Sequence, residues 1–376
     1  MNRQVSEPEE VDGLVTTEVP SDTPSVAEPG PPRSNPLRLL LDRFVGYSQG
    51  FREAGILAFI LLAIAIFAIQ SPAFLTIANL RAILVNGAIV IVLASGLTAL
   101  IVARQIDISI GSTVGLTAYV SALIMADLGT LPFLVVALIS VVVGAVLGLF
   151  NGFLVAIMQV PAIIATLGTL FVYRGAIFLI QGGRQINAHE LPPAFLELSR
   201  LVIARVPLLI WISIGVAILV GLVLAYTRWG RQLYAIGSNP EAAGYVGLRP
   251  KRLVIGAFVL MGALAGLGGF LYVLRFATVN VGAASGLEFD VVAAVVIGGV
   301  NIFGGTGRVF GAVLGAVLLA MVTRGLILMH IPEFWKVVLT GAAIVSALAL
   351  DAYLTRRRQE RLRGARRPHL APESTS

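Results

Sequence analysis

Apolar runs of roughly 15 to 27 residues recur ten times between residues 54 and 353, with short polar stretches between them. This repetition constrains the fold more than anything else in the chain. An α-helix needs about 20 apolar residues to cross a hydrocarbon layer about 30 Å thick. In lipid the backbone must satisfy its own hydrogen bonds, so such runs fold as helices, and they are too long for barrel strands of about 10 residues. Only 12% of residues are charged and 57% are hydrophobic, against about 25% charge in soluble domains. The fold class expected is an all-α integral membrane protein with about ten transmembrane helices.

The runs lie near 54–70, 82–103, 108–126, 132–158, 162–180, 207–226, 253–274, 289–303, 309–329 and 335–353. The eighth is short for a full span and fits either a tilted helix or one that enters the membrane and returns. Residues 1–36 are rich in Pro, Ser and Glu and read as a disordered tail; they lack the basic start and apolar core of a signal peptide, so no cleavage is expected. Arg33, Arg38, Arg43 and Arg52 precede the first run and place the N-terminus in the cytoplasm. Ten spans then put the C-terminus inside too, where the tail 354–376 carries RRRQERLRGARR. With this topology 19 of the 27 Lys and Arg are cytoplasmic, as the positive-inside rule requires. The net charge of +7 then reflects loops facing anionic lipid rather than a nucleic-acid surface. The transmembrane domain is read as 37–353. Its longest outer loop is 181–206, where LPPAFLELSRLV fits a short amphipathic helix.

The longest polar interruption is 227–252, TRWGRQLYAIGSNPEAAGYVGLRPKR, on the predicted inner face. It contains a helix of about two turns with both ends specified. Asn239 is the cap, Pro240 the first helical position, and Glu241 complements the positive end of the helix dipole. Ala242, Ala243 and Gly244 continue it, and Gly247 stops it. Two readings fit: a linker between spans, or a rigid helix for a soluble partner to grip.

Few residues offer chemistry. The chain has no cysteine, which excludes disulfides, thiolate metal sites and a Cys nucleophile, and its three histidines are scattered without ligand spacing. GGTGRVFG (304–311) is not followed by Lys-Ser or Lys-Thr, so no Walker A loop is present. Glycines four apart in GAVLGLFNG (144–152), GALAGLGG (262–269) and GAVLGAVLLA (311–320) fit close helix packing. Charges near apolar runs matter more, because they are costly in lipid. Asp107, Glu288 and Asp290 stand out, with Arg174 and Arg324, and all fit interfacial positions. Asn86, Ser95, Thr98, Thr166 and Thr169 are polar groups able to line a path for a neutral solute. DISIGSTVG (107–115) and the glycine cluster 298–315 have a faintly similar shape, which raises the question of an internal repeat.

Four stretches together resemble the permease subunit of bacterial ATP-binding-cassette importers for monosaccharides, of the ribose, xylose and rhamnose type. They are RQIDISIGSTVGL (104–116), with Gln105 where the family usually has Gly; NGFLVAIMQVPAIIATLGTLFVYRG (151–175); GRQLYAIGSNPEAAGYVGL (230–248); and FDVVAAVVIGGVNIFGGTGRVFGAVLG (289–315). The resemblance covers about 54–353. It implies a ten-span fold related to the cobalamin importer permeases and a pair of permeases in the bacterial inner membrane. It also implies two copies of a cytoplasmic ATPase that hold ATP and Mg, and a periplasmic binding protein that delivers the sugar. The chain itself would hold no cofactor or metal and would not be an enzyme, and 227–252 becomes the coupling loop. Two other classes stay open at this point. A stand-alone secondary transporter or channel would depend on Asp107 or Asp290, and a membrane enzyme would need clustered carboxylates or histidines.

Overall fold

The computed structural model describes residues 55–342 except 130 and 333, together with 345, 346 and 349. The predicted tails 1–36 and 354–376 lie outside the described residues. The helices, in chain order, are α1 Gly55–Gln70, α2 Ile77–Val102, α3 Ile110–Asp127, α4 Phe133–Ala156, α5 Ala162–Gln181, α6 Pro193–Ser199, α7 Leu208–Tyr226, α8 Arg228–Ser238, α9 Pro240–Tyr245, α10 Pro250–Phe276, α11 Leu287–Ile297 and α12 Val309–Leu328. A final helix, α13, begins at 334 and is described through 342. Among the described residues seven helices, α2, α3, α4, α5, α7, α10 and α12, are long and apolar enough to cross a membrane. The described part of α1 is apolar and about one turn shorter than a comfortable span.

Proline sets several helix starts. Pro132, Pro161, Pro192 and Pro207 stand immediately before α4, α5, α6 and α7. There their fixed φ is already suitable and no N–H is lost from the ladder. α10 runs through the centre, against α4, α3 and α2, and α2 in turn packs on α12 and α7. The α10–α4 contact is glycine on glycine. A Cβ added at Gly144 would lie 2.7 Å from the Gly266 backbone, and one at Gly262 would lie 2.7 Å from Gly148 Cα. The four-residue spacing read from the sequence thus brings two backbones together. The third stripe does the same on α11: a Cβ at Gly298 would meet the Ala312 backbone at 2.7 Å.

The eighth run differs most from its expectation. It is helical for 11 residues, Leu287–Ile297, and residues 298–308 form a turn with φ of +77° at Gly299, +84° at Gly304 and +76° at Gly305. Two consecutive glycines at 298 and 299 end the helix where the apolar sequence continues. α11 also starts inside the bundle. Segment 277–286 turns back from the end of α10, and Arg174 Nη1 donates to its carbonyls at Val281 (3.1 Å) and Ala283 (2.8 Å). α3 has the same form: α2 ends at Val102, and 103–109 turns back before α3 begins.

Long helix, return segment and inward-starting helix therefore occur twice, as α2–α3 and α10–α11. The two long helices pack together, with Gly96 against Leu264 and Gly268 against Leu93, so they run antiparallel. The structural counterpart of the 103–109 return is thus 277–286, and the glycine cluster at 298–315 that the sequence set beside 107–115 lies after α11 instead.

Outside the long helices, the 181–206 stretch forms α6, with Phe195 buried, and leads into a two-stranded antiparallel hairpin, Val202–Ile203 with Val206–Pro207. The helix follows the sequence expectation; the hairpin adds to it. Its tight turn puts two non-glycine residues in the left-handed region, Ala204 with φ of +48° and Arg205 with φ of +65°.

Candidate coupling element and the return segments

The polar stretch 227–252 holds two helices rather than one. α9 has the ends read from its sequence: Asn239 Oδ1 accepts from Ala242 N at 3.0 Å, Pro240 opens the helix, and Gly247 follows it with φ +76°. Glu241, Ala242, Gly244 and Gly247 are exposed, whereas Ala243 is buried. Tyr245 and Val246 are 92% and 76% exposed, an apolar tip on a polar segment.

α8 is the helix that the sequence reading misses. Its signals are Thr227, whose hydroxyl accepts from Gly230 N at 3.0 Å, and the helical spacing of Leu233, Ile236 and Gly237, all buried. α8 ties α9 to both the α2–α3 return and the 298–308 turn. Gly305 N donates to Val102 O at 2.9 Å, and a Cβ at Gly237 would lie 2.9 Å from Gly305 N while striking the Val102 carbonyl. Arg104 Nη2 donates to Ser238 O at 3.0 Å, and Tyr234 OH to Gly307 O at 2.7 Å. Burial raises the Tyr234 phenol above its ordinary pKa, which keeps that proton in place to donate.

Of the three acidic candidates, Asp107 and Glu288 are buried, and Asp290 is paired and partly accessible. Asp107 is buried; its Oδ1 accepts from Ser109 N at 2.8 Å and Ser109 Oγ at 2.6 Å. Asn151 Nδ2 donates to Ser109 Oγ at 2.9 Å, and Tyr173 OH reaches Asn151 Oδ1 at 3.3 Å. This network pins the α2–α3 return segment to α4 and α5. Glu288 is also buried, at the start of α11, and lies against Gly111 in the first turn of α3. Its Oε1 accepts from Gly286 N at 3.3 Å, while Oε2 has no hydrogen-bond partner among the described residues. Asp290 pairs with Lys336 Nζ at 2.7 Å. Of the two arginines, Arg174 holds the 277–286 segment as above, and Arg324 Nε donates to Asn79 Oδ1 at 2.7 Å.

The five polar residues considered for a path are scattered. Ser95 and Thr98 are fully buried and donate to Ile91 O and Ala94 O of their own helix, both at 2.7 Å. Asn86 is held by Arg275, whose Nη1 donates to its carbonyl at 3.1 Å and whose other nitrogen bonds its side chain. Thr166 donates to Ala162 O at 2.8 Å and accepts from Ile108 N at 3.1 Å, so it holds the same return segment as Asp107. Thr169 donates to Thr166 O at 3.2 Å. In the loop between α5 and α6, Arg184 Nη2 pairs with Glu190 Oε2 at 2.8 Å and Arg184 Nη1 reaches Asp127 at 3.4 Å. The Arg184 hydrogen bond, aided by Asn187 N, holds the Glu190 carboxyl below its ordinary pKa. No group of three or more metal-ligating side chains occurs among the described residues.

Residues 79–348 match the family model described as branched-chain amino acid transport system / permease component. The chain is 35% identical over 318 residues to the autoinducer 2 import system permease protein LsrC of Salmonella typhi, covering 84% of this chain and 90% of that one. It is 34% identical over 308 residues to the LsrC protein of Escherichia coli O157:H7, covering 82% and 89%. No solved structure matches. Seven membrane-length helices and a family match across most of the chain make it a multi-pass protein of the inner membrane. The chain belongs to the permease components of ATP-binding-cassette importers, in the branch that holds the monosaccharide-type permeases.

Proposed function

We propose that this chain forms the translocation pathway of an ATP-driven importer for a sugar-like solute, and that α8–α9 couples it to a separate ATPase chain. The observation that carries the coupling assignment is the tip of α9. Tyr245 and Val246 are exposed at the end of a helix with fixed ends, on a segment too polar to lie in lipid. Exposed aromatic residues on a rigid element are typical anchors for a protein partner. α8 then carries movement of α9 to Val102, Arg104 and Gly305, where the α2–α3 return begins and the 298–308 turn ends.

In this reading ATP and Mg bind on the ATPase, in keeping with the missing Walker A loop. The chain crosses the membrane ten times in the cobalamin-importer arrangement, with both termini and α8–α9 in the cytoplasm. A second permease copy or paralogue completes the pathway, and a periplasmic binding protein docks at the end formed by α6 and the hairpin. The curated relatives named above import autoinducer 2, which supports a small polyhydroxylated solute.

The test is purification of the tagged chain from native membranes in mild detergent, with its partners identified by mass. An ATPase bearing a Walker A motif is the expected partner. Tyr245→Asp should weaken that association by about 2 kcal/mol, roughly thirtyfold, without changing the yield of folded permease. A chain that purifies alone and still transports in vesicles would overturn the proposal.

A further inference from the structure

A half-open cavity of about 400 Å³ lies where α11 begins, lined in part by Ser285, Gly286, Phe289, Asp290, Phe334 and Lys336. Its size falls in the range of small-molecule sites, about 300–1,000 Å³. Its walls combine two kinds of surface. Phe289 and Phe334 are apolar residues 57% and 63% exposed. The Asp290–Lys336 pair lines the same cavity, 2.7 Å apart with about a fifth to a quarter of each side chain accessible (21% and 26%).

Helix electrostatics explain only half of that pair. Asp290 is in the first turn of α11 and suits the positive end of its dipole. Lys336, the third described residue of α13, is at the end of a helix where a cation is disfavoured. An ion pair at such a place is weak evidence for stability, because removing two charges from water costs about what their attraction returns. In a membrane protein, charges inside the bundle mark solute paths. The cavity also lies at the same end as the loop holding α6: Ile186, just before that helix, bridges to Val279 in the return segment that leads into α11.

We infer that this cavity is a solute subsite for a neutral polyhydroxylated ring, resting on the importer reading above. Asp290 accepts from adjacent hydroxyls, Lys336 donates to a ring or hydroxyl oxygen, and the two phenyl rings cover the C–H faces. A neutral solute leaves the ion pair's charge balanced, whereas an anion or cation would have to compete with one member of it.

The cysteine-free sequence makes the test direct. Ser285→Cys and, as an apolar-face reference on α4, Val142→Cys are each introduced into the assembled transporter in proteoliposomes. A water-soluble methanethiosulfonate reagent is the label, with D-ribose and autoinducer 2 as the solute probes. Ser285→Cys is expected to react on the order of tenfold or more faster than Val142→Cys, because the reactive thiolate forms in water and not in lipid. One of the two solutes should slow it, and adding Asp290→Asn should abolish that protection while the cysteine stays reactive, faster if anything beside the unpaired Lys336. Labelling no faster than at Val142, or fast labelling that neither solute slows, would overturn the subsite. These outcomes are separate from the co-purification result, which bears on the importer reading alone.

Discussion

Gly111 leaves no room for a side chain, and Gly175 leaves a great deal. A Cβ at Gly111 would strike the Glu288 carboxylate and lie 2.8 Å from Ala284 O, whereas one at Gly175 meets nothing within 4 Å. Both are positions within membrane-length helices, so helix propensity favours alanine by about 0.5–1 kcal/mol at each. Only at Gly111 does overpacking oppose it, at a cost of about 1–3 kcal/mol. Gly111→Ala should therefore lower the melting temperature of the purified protein and Gly175→Ala should leave it unchanged or raise it. Equal shifts in the two variants would mean that Glu288 does not hold α11 against α3. Sequence alone shows that an acidic residue stands at 288 but not what it faces. Gly111 is far away along the chain, and only the return of 277–286 into the bundle brings the two together. The hydroxyls of Ser95 and Thr98 are the reverse case. Their residue type suggests a polar path, but a hydroxyl in a helix can bond the carbonyl one turn back, and here that local bond is formed within a sealed core.

At the scale of elements, α8 is the joint between α9 and the rest. Its closest approach is at Gly237, against Val102 and Gly305. Gly237→Leu would lift α8 from both without altering the exposed tip of α9. The expected phenotype is uncoupling: the ATPase still co-purifies, while ATP-driven uptake falls by at least about tenfold, equivalent to about 1.4 kcal/mol. Loss of ATPase binding in this variant would place α8 itself in the docking surface. Helices with fixed ends are the most legible elements. α9 is readable because Asn, Pro and Gly each impose a local geometry that tertiary contacts rarely override. α11 is not, because hydropathy continues through Gly298 and Gly299 while the backbone turns. α8 is hidden for a related reason: its polar composition resembles a loop, and its apolar face of Leu233 and Ile236 is narrow.

For the whole molecule, the long helices and their packing stripes are written in the sequence, whereas the pairing of stripes is not. Which glycine row meets which depends on topology, and the structure joins α4 to α10 and α11 to α12. The first of these joints can be followed directly. Spin labels at solvent-accessible ends of α4 and α10, on a background with no native cysteine, should report the same separation with and without ATP in the assembled transporter. A nucleotide-dependent change would show that this pair shears. The reason to expect none is that carbonyls and Cα atoms, rather than flexible side chains, form the contact. Two surfaces fitted backbone to backbone mesh at one position only, as teeth do, and sliding by a single residue would drive carbonyl into carbonyl. A transporter that must open alternately to two sides therefore has a chassis, α4 with α10, that keeps its shape through the cycle. Movement would then fall to joints held by single side-chain hydrogen bonds, such as Arg104 to Ser238 and Tyr234 to Gly307, which can be exchanged one at a time.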